Sequence, residues 1–221
     1  MRIELNIRGN DTLIPFTHQP WLVGTIHKWL GENEWHGHTS PFSFSRLSGG
    51  RVDKEKKGLI IGERAKLTIS AHLPDFLSKL IEGIRKDPSM FKDLVVQEIV
   101  LIEDPDLSNR ELFFPLSPIF LKERQPDGTY SHILFGDKQA NALLTDNIRT
   151  KLQAAGIEDK EATAEFVTQE QNVQVMLVEY KGIKNRVNWC PVRIQAKPES
   201  KLFLWNVGLG HSTGIGFGCI K

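Results

Sequence analysis

The chain has 221 residues, of which 40% are hydrophobic and 25% charged, and its formal net charge is +1. This length and apolar content are sufficient for one large domain or two small ones, and no apolar run approaches the roughly 18 residues of a membrane span. Two cysteines, Cys190 and Cys219, lie far apart without metal-ligand spacing. They favour a reduced, intracellular chain over a disulfide scaffold, and we expect a cytoplasmic protein without a bound metal or cofactor.

The first hundred residues are predicted to alternate strands and helices. Residues 2–8 alternate apolar and polar side chains, which indicates a strand rather than the apolar core of a signal peptide. A helix follows in HQPWLVGTIHKWLGEN, with Pro20 in its first turn. Two strand candidates, PFSFSRL and AKLTISA, precede a second helix beginning at Pro74 and a β-rich run, DLVVQEIVLIED. This β-α-β-β-α-β order predicts a ferredoxin-like domain over residues 1–104.

A second α+β domain is predicted over residues 111–221. The segment EDPDLSNR, residues 103–110, is the best linker candidate. ELFFPLSPIFLKER and TYSHILFG are predicted as strands around the turn QPDG, and a helix follows with Asp137 as its cap and Gly156 after its end. NVQVMLVEY, NWCPVRIQAK and KLFLWNV are typical of β-structure. The second helix of this domain is not apparent in the sequence.

Positive charge is concentrated at the C-terminal end. From Lys181 onward there are seven basic residues and one acidic residue, a local charge of +6 that leaves −5 for the first 180 residues. Two interpretations stay open at this point. The charges could form an ordinary solvated face, or they could form the electrostatic footprint of a polyanion.

Five glycines crowd the segment VGLGHSTGIGFGCIK, residues 207–221. Apolar residues alternate with the small ones, which favours an ordered segment over a flexible tail. A backbone without side chains can approach a ligand closely, and its N–H groups can form an anion-binding nest. The basic flank makes a phosphodiester polymer the predicted ligand. The candidate contacts are Gly208, Gly210, His211, Ser212, Thr213, Gly214, Gly216, Gly218, Lys184, Arg186 and Arg193.

Two of the seven histidines, His36 and His38, lie in the polar loop EWHGHTSP between the first helix and the second strand. Loops on a rigid scaffold often carry reactive groups, and a histidine there can act as a general acid or base near neutral pH. A metal site is a weaker alternative, because no Cys, Asp or Glu ligand set accompanies the pair. A solvent-exposed pair without function is the remaining alternative.

The segment GLGHSTGIGFG resembles the C-terminal glycine-rich motif of the RAMP superfamily, in which two G-hydrophobic-G units flank a short polar spacer. Two further features resemble the CRISPR repeat-RNA endoribonuclease (Cas-six) family. The first is a strand and a helix that are followed by a histidine and then by PFSFSRL. The second is LSPIFLK at Leu116–Lys122. The resemblance spans essentially the whole chain. It implies two tandem ferredoxin-like (RRM-like) domains, the second degenerate.

The resemblance also implies metal-independent cleavage of precursor CRISPR RNA within each repeat. The ribose 2′-OH attacks the adjacent phosphate, which leaves a 2′,3′-cyclic phosphate and a 5′-OH. His36 occupies the place of the family's catalytic histidine, with His38 as second choice or partner. The family's tyrosine in the first helix and its lysine before the Phe-x-Phe strand are both absent. Arg46 or Lys54 is a candidate for the missing positive charge.

Two other functions stay open on sequence alone. The chain could be a non-catalytic RAMP subunit that binds crRNA in an effector complex with other Cas proteins, or a small-molecule-binding protein on a ferredoxin-like scaffold. The expected partner is CRISPR repeat RNA or precursor crRNA, with no membrane partner. The expected assembly is a monomer or a homodimer.

Overall fold

The computed structural model describes residues 1–32 and 40–221, and over these residues the chain is an α+β protein with several antiparallel sheets. Its four described helices are α1 (Gln19–Leu30), α2 (Pro74–Lys86), α3 (Ala140–Ala154) and α4 (Pro198–Val207), and a short 3-10 turn spans Thr213–Ile215. None of the described helices has the length and apolar character needed to cross a membrane.

The described strands fall into two groups along the chain. The first group is β1 (Arg2–Arg8), β2 (Thr12–Pro15), β3 (Phe42–Phe44), β4 (Arg51–Asp53), β5 (Gly58–Ile61), β6 (Ala65–Ala71) and β7 (Val95–Ile102). The second group is β8 (Leu112–Phe113), β9 (Leu121–Arg124), β10 (Tyr130–Ile133), β11 (Thr163–Phe166), β12 (Gln174–Tyr180), β13 (Ile183–Trp189) and β14 (Val192–Gln195).

The main sheet of the first half has the order β3-β6-β1-β7, with every neighbouring pair antiparallel. Ile3, Leu5 and Ile7 alternate along the central strand β1 and are buried, as the period of two predicts. They join one hydrophobic cluster with the apolar faces of α1 and α2. The predicted succession of strands and helices is therefore observed, with a small sheet of order β2-β5-β4 added to it.

The second half contains a sheet of order β11-β14-β8 and two hairpins, β9-β10 and β12-β13. The C-terminal residues extend the sheet beyond β8, since the N–H of Phe114 donates to the carbonyl of Lys221 at 3.0 Å and the N–H of Lys221 donates back at 2.8 Å. Helix α3 is present as predicted, but its cap is Gln139. Asp137 instead accepts a hydrogen bond from the N–H of Leu134 at 2.7 Å.

The segment KLFLWNV was expected to be β-structure, and that expectation is wrong because it lies in helix α4. Pro198 begins this helix, where its missing N–H costs nothing. All residues from Ser200 to Val207 except Leu202 are buried, so the helix has no polar stripe. A helix buried on nearly all sides lacks the 3.6-residue period and has the same apolar run as a buried strand.

The two halves meet around the side chain of Arg2, which is only 4% exposed. Its Nε donates to Ser70 Oγ at 2.6 Å, and its Nη2 donates to the carbonyls of Trp205 at 2.9 Å and Ile220 at 2.7 Å. The guanidinium carbon lies 3.4 Å from the centroid of the Trp205 ring. Burial lowers the pKa of Arg2 to about 10, so the guanidinium stays charged at neutral pH. Its hydrogen bonds tie β1 to α4 and to the C-terminal residues.

Candidate functional site

The glycine-rich motif, defined as residues 207–221, contains four glycines with left-handed backbone. Their φ angles are 79° at Gly208, 72° at Gly210, 95° at Gly216 and 71° at Gly218. Side-chain-bearing residues rarely adopt this conformation, because Cβ then approaches the carbonyl oxygen. The path of the motif through the fold therefore requires glycine at these positions.

The motif also packs tightly against the first half of the molecule. A Cβ on Gly216 would lie 2.8 Å from Cε2 of Phe44, and one on Gly214 would overlap the hydroxyl of Ser40. A Cβ on Gly208 would lie 2.7 Å from the carbonyl of Gly218 within the motif itself. Packing explains these glycines without any ligand, and their contact with RNA stays a prediction.

The stretch from His211 to Ile215 is the more accessible part of the motif. His211, Ser212, Gly214 and Ile215 are half-buried, whereas Thr213 is 3% exposed. The backbone N–H groups of His211 and Ile215 donate to the carbonyls of Phe120 and Ser212. Within the described chain, the accessible parts of the motif thus include Ser212 and Gly214, on either side of the buried Thr213.

A cleft of about 360 Å³ lies beside the motif, between the start of α1, the end of β3 and the hairpin β12-β13. Gly216 contributes to its wall, and His18, Arg46 and Lys184 line it together with Glu179. Arg46, predicted as a catalytic-site cation, and Lys184, predicted as an RNA contact, are therefore brought to one cleft. A cleft lined by two cations and one acid suits a polyanion.

His18 is a cleft residue to which the sequence assigned no role. Its Nδ1 lies 2.7 Å from the carbonyl of Pro15, so this nitrogen carries the proton of the neutral ring and Nε2 is the acceptor. The pKa of His18 is lowered by burial and, to a smaller extent, by the charge of Arg46. A neutral imidazole with a free acceptor can receive a hydrogen bond from a hydroxyl group. The HQP sequence at the start of α1 carries no signal that distinguishes this from an ordinary core histidine.

The remaining predicted cations occupy other positions. Arg193 forms an ion pair with Glu165 at 2.5 Å in a separate cleft between α3 and the β11-β14 pair, so the structure does not bring it to the motif. The backbone N–H of Arg186 donates to Nδ1 of His132 at 3.1 Å, which places Arg186 beside the β9-β10 hairpin.

The predicted catalytic histidines, His36 and His38, lie outside the described residues. The described chain resumes at Ser40, whose hydroxyl is adjacent to Gly214. Within residues 1–32 and 40–221, no three His, Cys, Asp or Glu side chains are grouped so that they could hold a metal ion. Cys190 and Cys219 are buried free thiols.

One protein-family profile matches the chain. It is described as "CRISPR associated protein Cas6, C-terminal" and covers residues 102–221, which includes the whole glycine-rich motif. No curated protein matches the chain in sequence.

Solved structures match the chain over its full length. A Cas6-related protein from Pyrococcus furiosus matches with a TM-score of 0.87 and 22% identity, over 100% of this chain and 97% of the other. A RAMP protein described as binding different RNA substrates gives a TM-score of 0.87 at 20% identity, over 100% and 98%. A third, described as CRISPR associated protein Cas6, gives 0.84 at 21% identity, over 100% and 98%. At these identities the matches establish a shared fold.

Proposed function

The chain belongs to the CRISPR-associated Cas6 family, and from this membership we propose that it is a metal-independent endoribonuclease that cleaves precursor CRISPR RNA within its repeats. The family generally processes crRNA, and the full-length fold match to Cas6 structures supports the same role here. The proposed ligand is the repeat RNA, a polyanion suited to the basic C-terminal region.

We propose that the fold consists of two tandem ferredoxin-like domains, at 1–104 and 111–221, the second degenerate. In the first domain, β1, β3, β6 and β7 correspond to the first, second, third and fourth strands of a β-α-β-β-α-β unit. Their order in the sheet is β3-β6-β1-β7. The second half supports the same scheme. Its sheet order β11-β14-β8 continues into the C-terminal residues at Lys221, while α3 and α4 take the places of the two helices.

In the proposed reaction, the protein aligns the ribose 2′-OH with the adjacent phosphate, removes its proton and protonates the leaving 5′-oxygen. We assign this proton transfer to His36, with His38 as its alternative or partner. Arg46 would stabilise the extra negative charge of the phosphorane. The observation that supports the assignment is the contact of Ser40 with Gly214, because Ser40 follows His36 and His38 closely in the sequence.

The proposed RNA path passes the half-buried residues Ser212 and Gly214 and the cleft that contains Arg46 and Lys184. His211 lies at one end of this path. The buried Gly216 contributes indirectly, by allowing the backbone to lie close to Phe44. Arg193 is engaged with Glu165, and a role for it would require the RNA to reach a second cleft.

The test is cleavage of the repeat RNA of the protein's own locus, followed by analysis of the product ends. We expect one cut within the repeat, a 2′,3′-cyclic phosphate and full activity in EDTA. His36→Ala is expected to bind RNA normally and to cleave roughly 10²- to 10⁴-fold more slowly, the range of general acid–base catalysis. Wild-type rates in both His36→Ala and His38→Ala would overturn the histidine assignment.

A second candidate function is a non-catalytic RAMP subunit that binds crRNA in an effector complex with other Cas proteins. The observation that favours it is that α1 contains no tyrosine and HGHTSP contains no lysine. In the Cas-six family, these two residues accompany the catalytic histidine. Tight, salt-dependent RNA binding without any cut would favour this function. Absent or salt-independent RNA binding would contradict both functions.

A further inference from the structure

The hairpin β9-β10 presents four long polar side chains on one face. The cross-strand pairs are Tyr130 with Arg124 and His132 with Lys122, and residues directly opposite each other in an antiparallel pair share a face. We call Lys122, Arg124, Tyr130 and His132 the hairpin platform. The other face packs inward, where Leu121 and Ile133 are buried in the second hydrophobic cluster.

Tyr130 is the prominent feature of the platform, because 54% of it is exposed to solvent. The ammonium of Lys122 lies 4.4 Å from the centroid of its ring. The ring is thus an accessible aromatic surface with a cation beside it. A nucleobase can stack on such a ring, and the phosphate next to the base can bind the cation.

The platform is continuous with the glycine-rich motif. The backbone N–H of Lys122 donates to Nδ1 of His211 at 3.4 Å, and the N–H of His211 donates to the carbonyl of Phe120 at 2.7 Å. On its other side, the N–H of Arg186 donates to Nδ1 of His132. Two residues predicted to contact RNA, His211 and Arg186, therefore flank a surface that the sequence did not indicate.

A packed base holds the platform in place. The ring of Phe120 meets His132 edge-on at 5.3 Å between centroids and contacts Phe217 of the glycine-rich motif at 5.4 Å. Phe120 and Phe217 are buried together with Val187. This packing fixes the His132 end of the platform, and a preorganised surface loses less conformational freedom when a ligand binds.

The charges around the platform are complementary to a polyanion. Lys122, Arg124 and Arg186 are cationic, and the charges of Arg186 and Lys122 add to burial in lowering the pKa of His132, so the imidazole adds no charge at neutral pH. Two acids of the hairpin and its turn point elsewhere or are engaged. Glu123 lies on the opposite face, across from Ser131, and the carboxylate of Asp127 accepts hydrogen bonds from Thr129 in the turn.

We propose that the hairpin platform binds a single-stranded segment of the RNA, with one base stacked on Tyr130 and the adjacent phosphates contacted by Lys122, Arg124 and Arg186. The base would displace the Lys122 ammonium from the ring, and the ammonium would turn to a phosphate. This inference rests on the proposed function, which supplies the RNA, and it extends the binding surface beyond the cleft and the glycine-rich motif.

The experiment measures binding of the locus repeat RNA and of a short oligouridine by fluorescence anisotropy. Tyr130→Ala is expected to weaken binding by about 5- to 100-fold, and Tyr130→Phe is expected to bind like wild type, because stacking needs the ring and not the hydroxyl. Val52→Ala is the matched control, since Val52 is also 54% exposed but lies on β4 in the first half. Lys122→Ala is expected to reduce the slope of log affinity against log salt by about 1.

The possible outcomes separate this inference from the proposed function. If wild type binds and cleaves repeat RNA and Tyr130→Ala binds equally well, the platform is overturned and the nuclease stands. If Tyr130→Phe loses as much affinity as Tyr130→Ala, stacking is overturned in favour of a hydroxyl contact. If wild type does not bind RNA at all, both proposals fail. A melting curve for each variant establishes that the affinities refer to folded protein.

Discussion

Lys151 is a cationic residue inside the second half of the molecule. It projects from α3, is 5% exposed and donates from Nζ to the carbonyl of Gly208 at 2.7 Å. Burial lowers its pKa to about 7, because the charged ammonium loses its hydration. This contact ties α3 to the first glycine of the glycine-rich motif.

The buried amine makes stability depend on pH. The unfolded chain holds this proton up to a pKa near 10.5, whereas the folded chain releases it near 7. The unfolded state therefore binds more protons between these values, and the free energy of unfolding rises with pH by at most about 1.4 kcal/mol per pH unit. Denaturant unfolding measures the free energies of unfolding of wild type and Lys151→Met over this interval. The value for wild type should increase with pH relative to the value for the variant. A difference that stays constant with pH would contradict the buried amine.

Residue-level prediction from sequence was uneven for a physical reason. Exposed or loop residues such as Arg46 and Lys184 were selected by residue type, and the structure places both in one cleft. The sequence does not single out His18, Lys151 or Tyr130, because their properties come from what surrounds them. Burial, a carbonyl partner or a neighbouring ammonium is set by residues distant in sequence, and a single sequence does not list those neighbours.

At the scale of single elements, α1 and α2 each contain a glycine, and the two differ in what surrounds them. A Cβ on Gly24 of α1 would meet nothing within 4 Å, whereas one on Gly83 of α2 would overlap the backbone of Trp29 in α1. Gly83 therefore allows the two helices to pack at close range. Gly24 only adds backbone freedom that folding must remove.

The two glycines should respond oppositely to alanine. Gly24→Ala is expected to raise the free energy of unfolding by about 0.5–1 kcal/mol, the helix-propensity difference. Gly83→Ala is expected to lower it by more than about 1 kcal/mol, because the helices must separate. Thermal or denaturant unfolding of the two variants measures both. Equal effects would mean that α1 and α2 do not approach each other at Gly83.

Elements were predictable where their apolar pattern was one-sided. Helices α1, α2 and α3 each bury one face, and their sequences carry that period together with Pro20, Pro74 or Gly156 at an end. The buried helix α4 has no such period, and its sequence predicts a strand where the structure has a helix. The run ELFFPLSPIFLKER was predicted as one strand but is divided into β8 and β9, with Pro115 and Pro118 between them. Proline removes a ladder donor, so this break could have been anticipated.

At the scale of the whole molecule, the arrangement of the halves could not be predicted. The sequence indicated two similar units and a basic C-terminal region, since order and composition are local properties. Contacts between the halves join residues about two hundred positions apart, such as Arg2 with Trp205 and Ile220. These contacts position the glycine-rich motif against β3 and so decide which surface of the molecule is left for the proposed RNA ligand.

Arg2 is the residue on which this arrangement can be tested. Arg2→Met leaves the carbonyls of Trp205 and Ile220 without the guanidinium donor and is expected to lower the free energy of unfolding by about 2–4 kcal/mol. Arg2→Lys is expected to recover only part of this loss, because an ammonium cannot reproduce the planar fork that reaches Ser70 and both carbonyls. Arg8→Met is the control, since Arg8 lies at the exposed end of the same strand, and it should change stability by less than about 0.5 kcal/mol. Denaturant unfolding measures all three, and equal losses for Arg2→Met and Arg8→Met would mean that Arg2 does not hold the halves together.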